Sequence, residues 1–331
     1  MRLFPRAIAL SLALLLSGTA AADDSVAEVR GWLDRMSRAL ETLNFRGTLV
    51  HLRDGEVDTL GIVHRADENG IRERIFSLDG EPREILRDGN QVRCLLAGNQ
   101  PLVVQSQLAA RLMPNLPINR LGSPESAYRM SMGGRERVAG MMTRIVEIQP
   151  LDEFRYGHRF WLEERTGMLL RSALLDHKGR RLQQLSFVTI ELGVPISDAE
   201  LSPSMEQYAS VEATIQAGST TSQTDDLRRA SWVPPRLPDN FTLARVGRNS
   251  TVEGEVFEHL VFSDGLASFS VYLEEGLHGY GGSRLEVMGP VHVYTGVQDG
   301  RKITVVGEVP RATVEYVGRS LRRSPGPRSR N

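Results

Sequence analysis

A chain of 331 residues exceeds what one hydrophobic core usually serves, so two domains are expected. Apolar residues make up 40% and charged residues 24%, an ordinary globular balance. A net charge of −1 gives no pointer to bulk nucleic-acid binding.

Residues 1–22 read as a signal peptide. Arg2 and Arg6 form a basic start, Ala7–Leu16 an apolar stretch, and Thr19-Ala20-Ala21-Ala22 the small residues that signal peptidase requires. Cleavage after Ala22 is expected, with Ala21 as the alternative. Losing the two arginines carries the net charge from −1 to −3. The apolar stretch is too short to span a bilayer, and no second one follows, so the mature chain is expected to be soluble. Cys94 is the only cysteine and lies far from the cleavage site. It excludes an intramolecular disulfide and N-terminal lipidation, and reads as a buried thiol.

Ser25-Val26-Ala27-Glu28 forms a capping box that predicts a helix start. Val29, Trp32 or Leu33, Met36, Leu40 and Leu43 then make one apolar stripe at helical spacing. Next, "LNFRGTLVHLRDGEVDTLGIVHR" (43–65) reads as two strands joined at Asp54-Gly55, a dipeptide suited to a type I′ turn. That turn pairs Arg53 with Glu56, Leu52 with Val57, His51 with Asp58, Val50 with Thr59 and Leu49 with Leu60. Side chains alternate between faces. Arg53, Glu56, His51 and Asp58 read as a solvated face; Val50, Leu52 and Val57 form an apolar one. Further hairpins are expected from "IVHR", "RERIFSL", "REILR" and "QVRCLL", punctuated by Asn69-Gly70, Asp79-Gly80 and Asp88-Gly89.

A helix is predicted over 102–113, ended by Pro114, and another starting near Ser123-Pro124. Strands resume with "YRMSM", break at Gly133-Gly134, and continue through "RERVAGMMTRIVEI", "HRFWLEE", "MLLRSALLD" and "RRLQQLSFVTIEL". From Ser202 the pattern dissolves, and "QAGSTTSQTDD" (216–226) has a linker's composition. A second unit starts at Ala230-Ser231-Trp232. It offers the strands "FTLARVG", "VFEHLVFSD", "LASFSVYLEE", "VHVYTGVQD" and "RKITVVGEV", with Asp264-Gly265 and Asp299-Gly300 as turns, then a helix after Pro310 that buries Val314, Val317 and Leu321. The expected organisation is therefore a signal peptide over 1–22, a first domain over 23–205, a linker over 206–229, a second domain over 230–322 and a disordered basic tail over 323–331. The class is α+β: a strongly curved antiparallel sheet with helices packed on one side, then a small α+β domain free to move against it.

Chemistry is sparse. There is no G-x-S-x-G, H-E-x-x-H or Walker motif, and no two of the seven histidines stand at i, i+4. No catalytic residue, metal site or cofactor is assigned. Binding fits better. A curved sheet closed by a helix bearing Trp32 and Met36 can hold an apolar pocket, with Val50, Leu52 and Val57 of the hairpin facing that helix. Of 40 basic residues only Lys178 and Lys302 are lysine, an arginine bias suited to planar recognition of carboxylates and phosphates.

The order of these features resembles the periplasmic stress-response regulators of the RseB/MucB type, the MucB branch most of all. The resemblance is carried by "WLDRMSRALETLNFRGTLVHLRDGEVDTLGIVHR" and "FWLEERTGMLLRSALLDHKGRRLQQLSFVTIEL", then by "LVFSDGLASFSVYLEE" and "HVYTGVQDGRKITVVGEVP". It implies a first domain similar to the carriers LolA and LolB, a half-open β-barrel with helices over its mouth. It also implies a partner, the periplasmic segment of a single-span anti-sigma factor, shielded from the proteolysis that would free an envelope-stress sigma factor. Lipid, notably lipopolysaccharide acyl chains, is implied as the releasing signal, and alginate production as the output in the MucB branch. Trp32, Met36, Val50, Leu52 and Val57 are then candidates for acyl contact. The second domain's loops at 263–266 and 278–284, with Tyr280 and Arg284, are candidates for partner contact. The rival expectation is a periplasmic lipoprotein carrier of the LolA type, which leaves the second domain without a purpose. Oligomeric state stays open, a homodimer included.

Overall fold

The computed structural model describes residues 18–89, 91–96, 127–204, 209–214, 232–250, 256–275 and 282–323. The predicted helix over 102–113, the start at Ser123, the linker stretch 216–226, Tyr280 and residues 324–331 of the tail lie outside them.

Helix α1 spans Gly18–Thr42 and is already under way before Ser25, so the predicted capping box lies inside it. The alanines just upstream are the strongest helix formers and carry the helix back to Gly18. Strands β1 (Phe45–Arg53), β2 (Glu56–Asp67), β3 (Gly70–Ser77), β4 (Arg83–Asp88) and β5 (Gln91–Leu96) follow as a meander. Then come β6 (Tyr128–Val138), β7 (Met141–Pro150), β8 (Gly157–Glu163), β9 (Leu169–Leu175) and β10 (Arg181–Leu192). A single-turn helix α2 (Asp198–Leu201) precedes β11 (Ala209–Thr214). These eleven strands form one antiparallel sheet in the order β11-β5-β4-β3-β2-β1-β10-β9-β8-β7-β6. Its two edges, β11 and β6, do not pair, so the sheet is open rather than a closed barrel. Helix α1 touches β2, β6 and β9, strands far apart in that order, which requires the sheet to curl around it.

The first hairpin has the predicted register throughout, with Asp54 and Gly55 at φ 53° and 83°. The expected break at Gly133-Gly134 is instead an irregularity inside β6, opposite Ile145, where a Cβ on Gly133 would come within 2.8 Å. The chain turns at Ala139-Gly140, both in the left-handed region. Residues 209–214, placed by sequence in the linker, form β11 and pair with β5.

The second unit adds β12 (Trp232–Val233), β13 (Thr242–Ser250), β14 (Val256–Ser263), β15 (Ser268–Glu275), β16 (Arg284–Met288), β17 (Val291–Gln298), β18 (Arg301–Gly307), helix α3 (Arg311–Ser320) and β19 (Arg322–Arg323). Six of these strands form a sheet in the order β13-β14-β15-β18-β17-β16, and β12 pairs with β19. Strand β16 was not expected. Its residues are mostly exposed, so it lacks the alternation by which a strand is read. Helix α3 buries Val314 and Val317 over the sheet, as predicted, and Leu321 caps it fully buried. They share a core with Trp232, Phe262, Phe269, Val271, Tyr294 and Val305. Among the described residues no helix is long and apolar enough to cross a membrane.

Candidate functional site

The apolar stripe of α1 serves two clusters on the same sheet. Val29, Leu33 and Met36 are buried with Tyr128, Met130, Val146, Ile148, Phe160 and Leu162, and Trp32 packs half-buried beside them. One turn on, Ala39 joins Phe45, Leu49, Leu60, Ile62, Ile75 and Phe187. Arg35 fastens the helix in place. Its guanidinium lies 4.2 Å from the Trp32 ring centroid and donates to the carbonyls of Glu164 and Arg165 at 2.6 and 2.9 Å. Gly167, at φ +81°, permits this approach, because a Cβ there would fall 2.7 Å from the Cβ of Arg35.

The hairpin does not face the helix as expected. Phe45 and Leu49 are fully buried in the core with Ala39, so strand alternation turns Val50, Leu52 and Val57 to the outer face. Val57 is 57% exposed; Leu78 and Val188 on nearby segments are exposed as well. Val188 is the extra residue where the β1–β10 register shifts. The structure thus brings Trp32 and Met36 together and keeps Val50, Leu52 and Val57 apart from them. Sequence misread the faces near the turn because β1 and β2 run on past the core. There the inner face ends in polar residues, with His51 3.8 Å from Asp58. Burial, with Arg53 nearby, pushes the His51 imidazole below its usual range.

An arginine network covers part of the outer face. Arg65 and Arg72 both pair with Asp198 at 2.8 and 2.9 Å, Arg46 with Glu200 at 2.9 Å, and Arg74 with the fully buried Glu84. Glu200 is held down to about 2 by hydrogen bonds from the Ser197 backbone and hydroxyl, then from Arg46. These contacts hold segment 196–204 over the sheet and leave a cleft of about 620 Å³ against β3, β4 and β5. Leu86, Val92, Leu201 and Pro203 supply its apolar lining, and the three arginines there, Arg72, Arg87 and Arg93, are matched by Glu73, Asp88 and Asp198. The volume suits a small-molecule site. No motif marked it; the arginine bias was its only trace in the sequence.

The two sheets meet across a buried polar junction. Arg155, in the loop between β7 and β8, is fully buried. Its guanidinium donates to Asp264 Oδ2 at 2.6 Å, to the Asp239 carbonyl at 2.6 Å and to Asp152 Oδ1 at 3.0 Å. It also lies 4.8 Å from the Phe241 ring centroid and 5.5 Å from that of Tyr128. The Tyr128 hydroxyl donates to the same Asp264 oxygen at 2.8 Å. Around this centre, the Tyr156 hydroxyl donates to the Pro290 carbonyl, Gln183 to Glu308, and Thr313 to the Phe154 carbonyl. Burial lowers His292, opposed by its bond to the Val309 carbonyl. The expected movement of the two units against each other would have to break these contacts. Arg155 and Asp264 stand far apart in sequence, and nothing local to either signals the other. The loop 263–266, expected to contact a partner, is spent here: Asp264 enters the ion pair and Leu266 packs on the first domain's cluster. Arg284 is exposed on the edge strand β16, 3.0 Å from Glu286. Cys94 is buried, and burial raises its thiol.

No three metal-ligating side chains cluster among the described residues. An open antiparallel sheet curled on an amphipathic helix, fastened to a second sheet domain, defines a two-domain binding protein. The profile of the MucB/RseB N-terminal domain matches residues 28–205 and that of the MucB/RseB C-terminal domain residues 226–322. The chain belongs to the MucB/RseB family. It is 32% identical over 322 residues to the sigma factor AlgU regulatory protein MucB of Pseudomonas aeruginosa, covering 94% of this chain and 96% of that one. It is 28% identical to the sigma-E factor regulatory protein RseB of Haemophilus influenzae, covering 93% and 95%. Among solved structures, MucB in complex with MucA(peri) superposes at a TM-score of 0.69 with 29% identity, over 90% of this chain and all of that one. MucB alone superposes at 0.63, over 93% and 99%.

Proposed function

We propose that this chain is an exported, periplasmic regulator of an envelope-stress sigma factor. It binds the periplasmic segment of a single-span anti-sigma factor and hinders the cut that starts its proteolysis. Acyl chains of lipid, lipopolysaccharide among them, release it. The observation that carries the reading is the match of both halves, in order, to one regulator family, together with the fit to MucB holding MucA's periplasmic part. As in the MucB branch, alginate production is the proposed output.

Of the five acyl-contact candidates, Trp32 and Met36 sit at the helix, beside the thioether of Met130 and able to repack around a chain. Val50, Leu52 and Val57 offer a second apolar surface outside. Each methylene buried contributes about 0.8 kcal/mol, so partial insertion at either surface gives useful affinity. The test is proteolysis of the anti-sigma periplasmic segment by the envelope protease that makes the first cut. The full mature chain should slow the cut, and added lipopolysaccharide should restore it. Cleavage at the same rate with and without the chain would end this reading.

A brominated fatty acid separates the two acyl surfaces. Quenching of Trp32 that survives a folded Val50→Asp, Leu52→Asp double variant assigns the chain to the helix side; binding that leaves Trp32 unquenched and is lost in that variant assigns it to the outer face.

A further inference from the structure

The junction between the sheets is built around a buried ion pair. Arg155 is 0% exposed and the Asp264 side chain 1%. Each polar group is committed within the junction. The Arg155 guanidinium serves Asp152, Asp264 and the Asp239 carbonyl. Asp264 Oδ2 accepts from Arg155 and Tyr128, while its Oδ1 accepts from the backbone N–H groups of Leu266 and Ala267 at 2.8 and 2.7 Å. One aspartate therefore shapes the turn between β14 and β15 and receives the other domain's arginine. The guanidinium also lies over the rings of Tyr128 and Phe241, one from each domain, at cation–π distance.

With the ion pair made, every group is satisfied. With the sheets slightly displaced, a buried charge is stranded, which is far more costly than the intact pair is favourable. The junction therefore sets one placement rather than a range. The rim contacts, Gln183 to Glu308 and the β1–β2 turn against Gly289, follow that placement.

We propose that Arg155 and Asp264 are positioning residues for partner binding: they latch the two sheets into the placement that the partner segment reads across both domains, without touching it. This rests on the anti-sigma partner proposed above. Because the latch atoms are saturated and enclosed, they offer the partner nothing directly, and their substitution acts only through the placement of the sheets.

The experiment uses the full mature chain with spin labels at Val188→Cys and Val297→Cys, exposed positions on the first and second sheets, Cys94 being buried. Asp264→Asn keeps the side chain's shape and the Oδ1 acceptor while removing the charge; Tyr128→Phe removes one hydroxyl. Double electron–electron resonance reads the distance between the sheets, and fluorescence anisotropy reads the affinity for the anti-sigma periplasmic segment. Asp264→Asn should broaden the distance distribution and weaken binding by roughly a hundredfold, with Tyr128→Phe changing both in the same direction by roughly fivefold. Unfolding by urea reports whether each sheet remains intact, and should Asp264→Asn not fold, the Tyr128→Phe pair of readings decides. A broadened distribution with unchanged affinity overturns the proposal, as does an unchanged distribution with weakened binding. Absence of binding by the parent chain itself would instead defeat the partner reading on which the proposal rests.

Discussion

Leu49→Ala and Leu52→Ala are the same chemical change made three residues apart on β1, on opposite faces of the sheet. Leu49 is 0% exposed and sits in a cluster with Leu60, Phe187 and Ala39 of the helix; Leu52 is half-buried on the outer side. Removing three carbons from a sealed site forfeits about 2.4 kcal/mol of transfer free energy, and the cavity left behind raises the loss to about 3–4 kcal/mol. At Leu52 part of the side chain already meets water and no sealed cavity forms, so the loss should be about 1 kcal/mol. Equilibrium urea unfolding of the full mature chain, followed by far-UV circular dichroism, measures both. The second domain's separate core should be unaffected by either variant and serves as an internal reference. A loss at Leu52 equal to or greater than that at Leu49 would refute the assignment of faces, and with it the placement of α1 against the side bearing Phe45 and Leu49.

Gly318→Ala should destabilise the second domain by about 1–3 kcal/mol, because its Cβ would fall 2.2 Å from Cδ1 of the buried Tyr294; calorimetry showing an unchanged second transition would contradict that packing. Burial lowers His158 and His259 from 6.5 to about 4, with Arg245 adding to the effect at His259. The unfolded chain therefore takes up protons first, and the stability present above pH 6.5 is lost as pH falls toward 4. Between pH 7 and 5 each histidine should contribute about 1–2 kcal/mol of that loss, and His158→Gln should flatten the profile measured by urea unfolding. Intact-mass measurement of periplasmic protein should give a chain starting at Asp23, or at Ala22, without an acyl adduct; retention of residues 1–22 would refute export with cleavage.

Much of the fold was legible because the signals were local. Asp54-Gly55 and Asp299-Gly300 adopt the paired left-handed conformations that their residue types favour. The stripe Val29, Leu33, Met36 and Leu40 was readable as one helix face from its spacing alone, and its first three members are fully buried. Strand β16 escaped because an exposed edge strand carries no alternation. The turn at Ala139-Gly140 escaped because alanine does not advertise a positive φ. The faces of the first hairpin were inverted because the pattern was read outward from the turn, where the polar ends of His51 and Asp58 outnumber the apolar residues that face the core further in. The junction could not be read at all. Asp264 looked like any Asp-Gly turn, and only the fold brings Arg155 to it. The cleft beneath residues 196–204 depends in the same way on arginines from β2 and β3 meeting Asp198, a contact with no local signature.

Titration of the labelled periplasmic segment of the cognate anti-sigma factor with the full mature chain, read by fluorescence anisotropy, tests the central claim most directly. Saturable binding with a Kd at or below about 1 μM, lost when lipopolysaccharide is added, is the predicted result. No saturable binding up to about 100 μM, in the absence of lipid and with both domains shown to be folded, would contradict it.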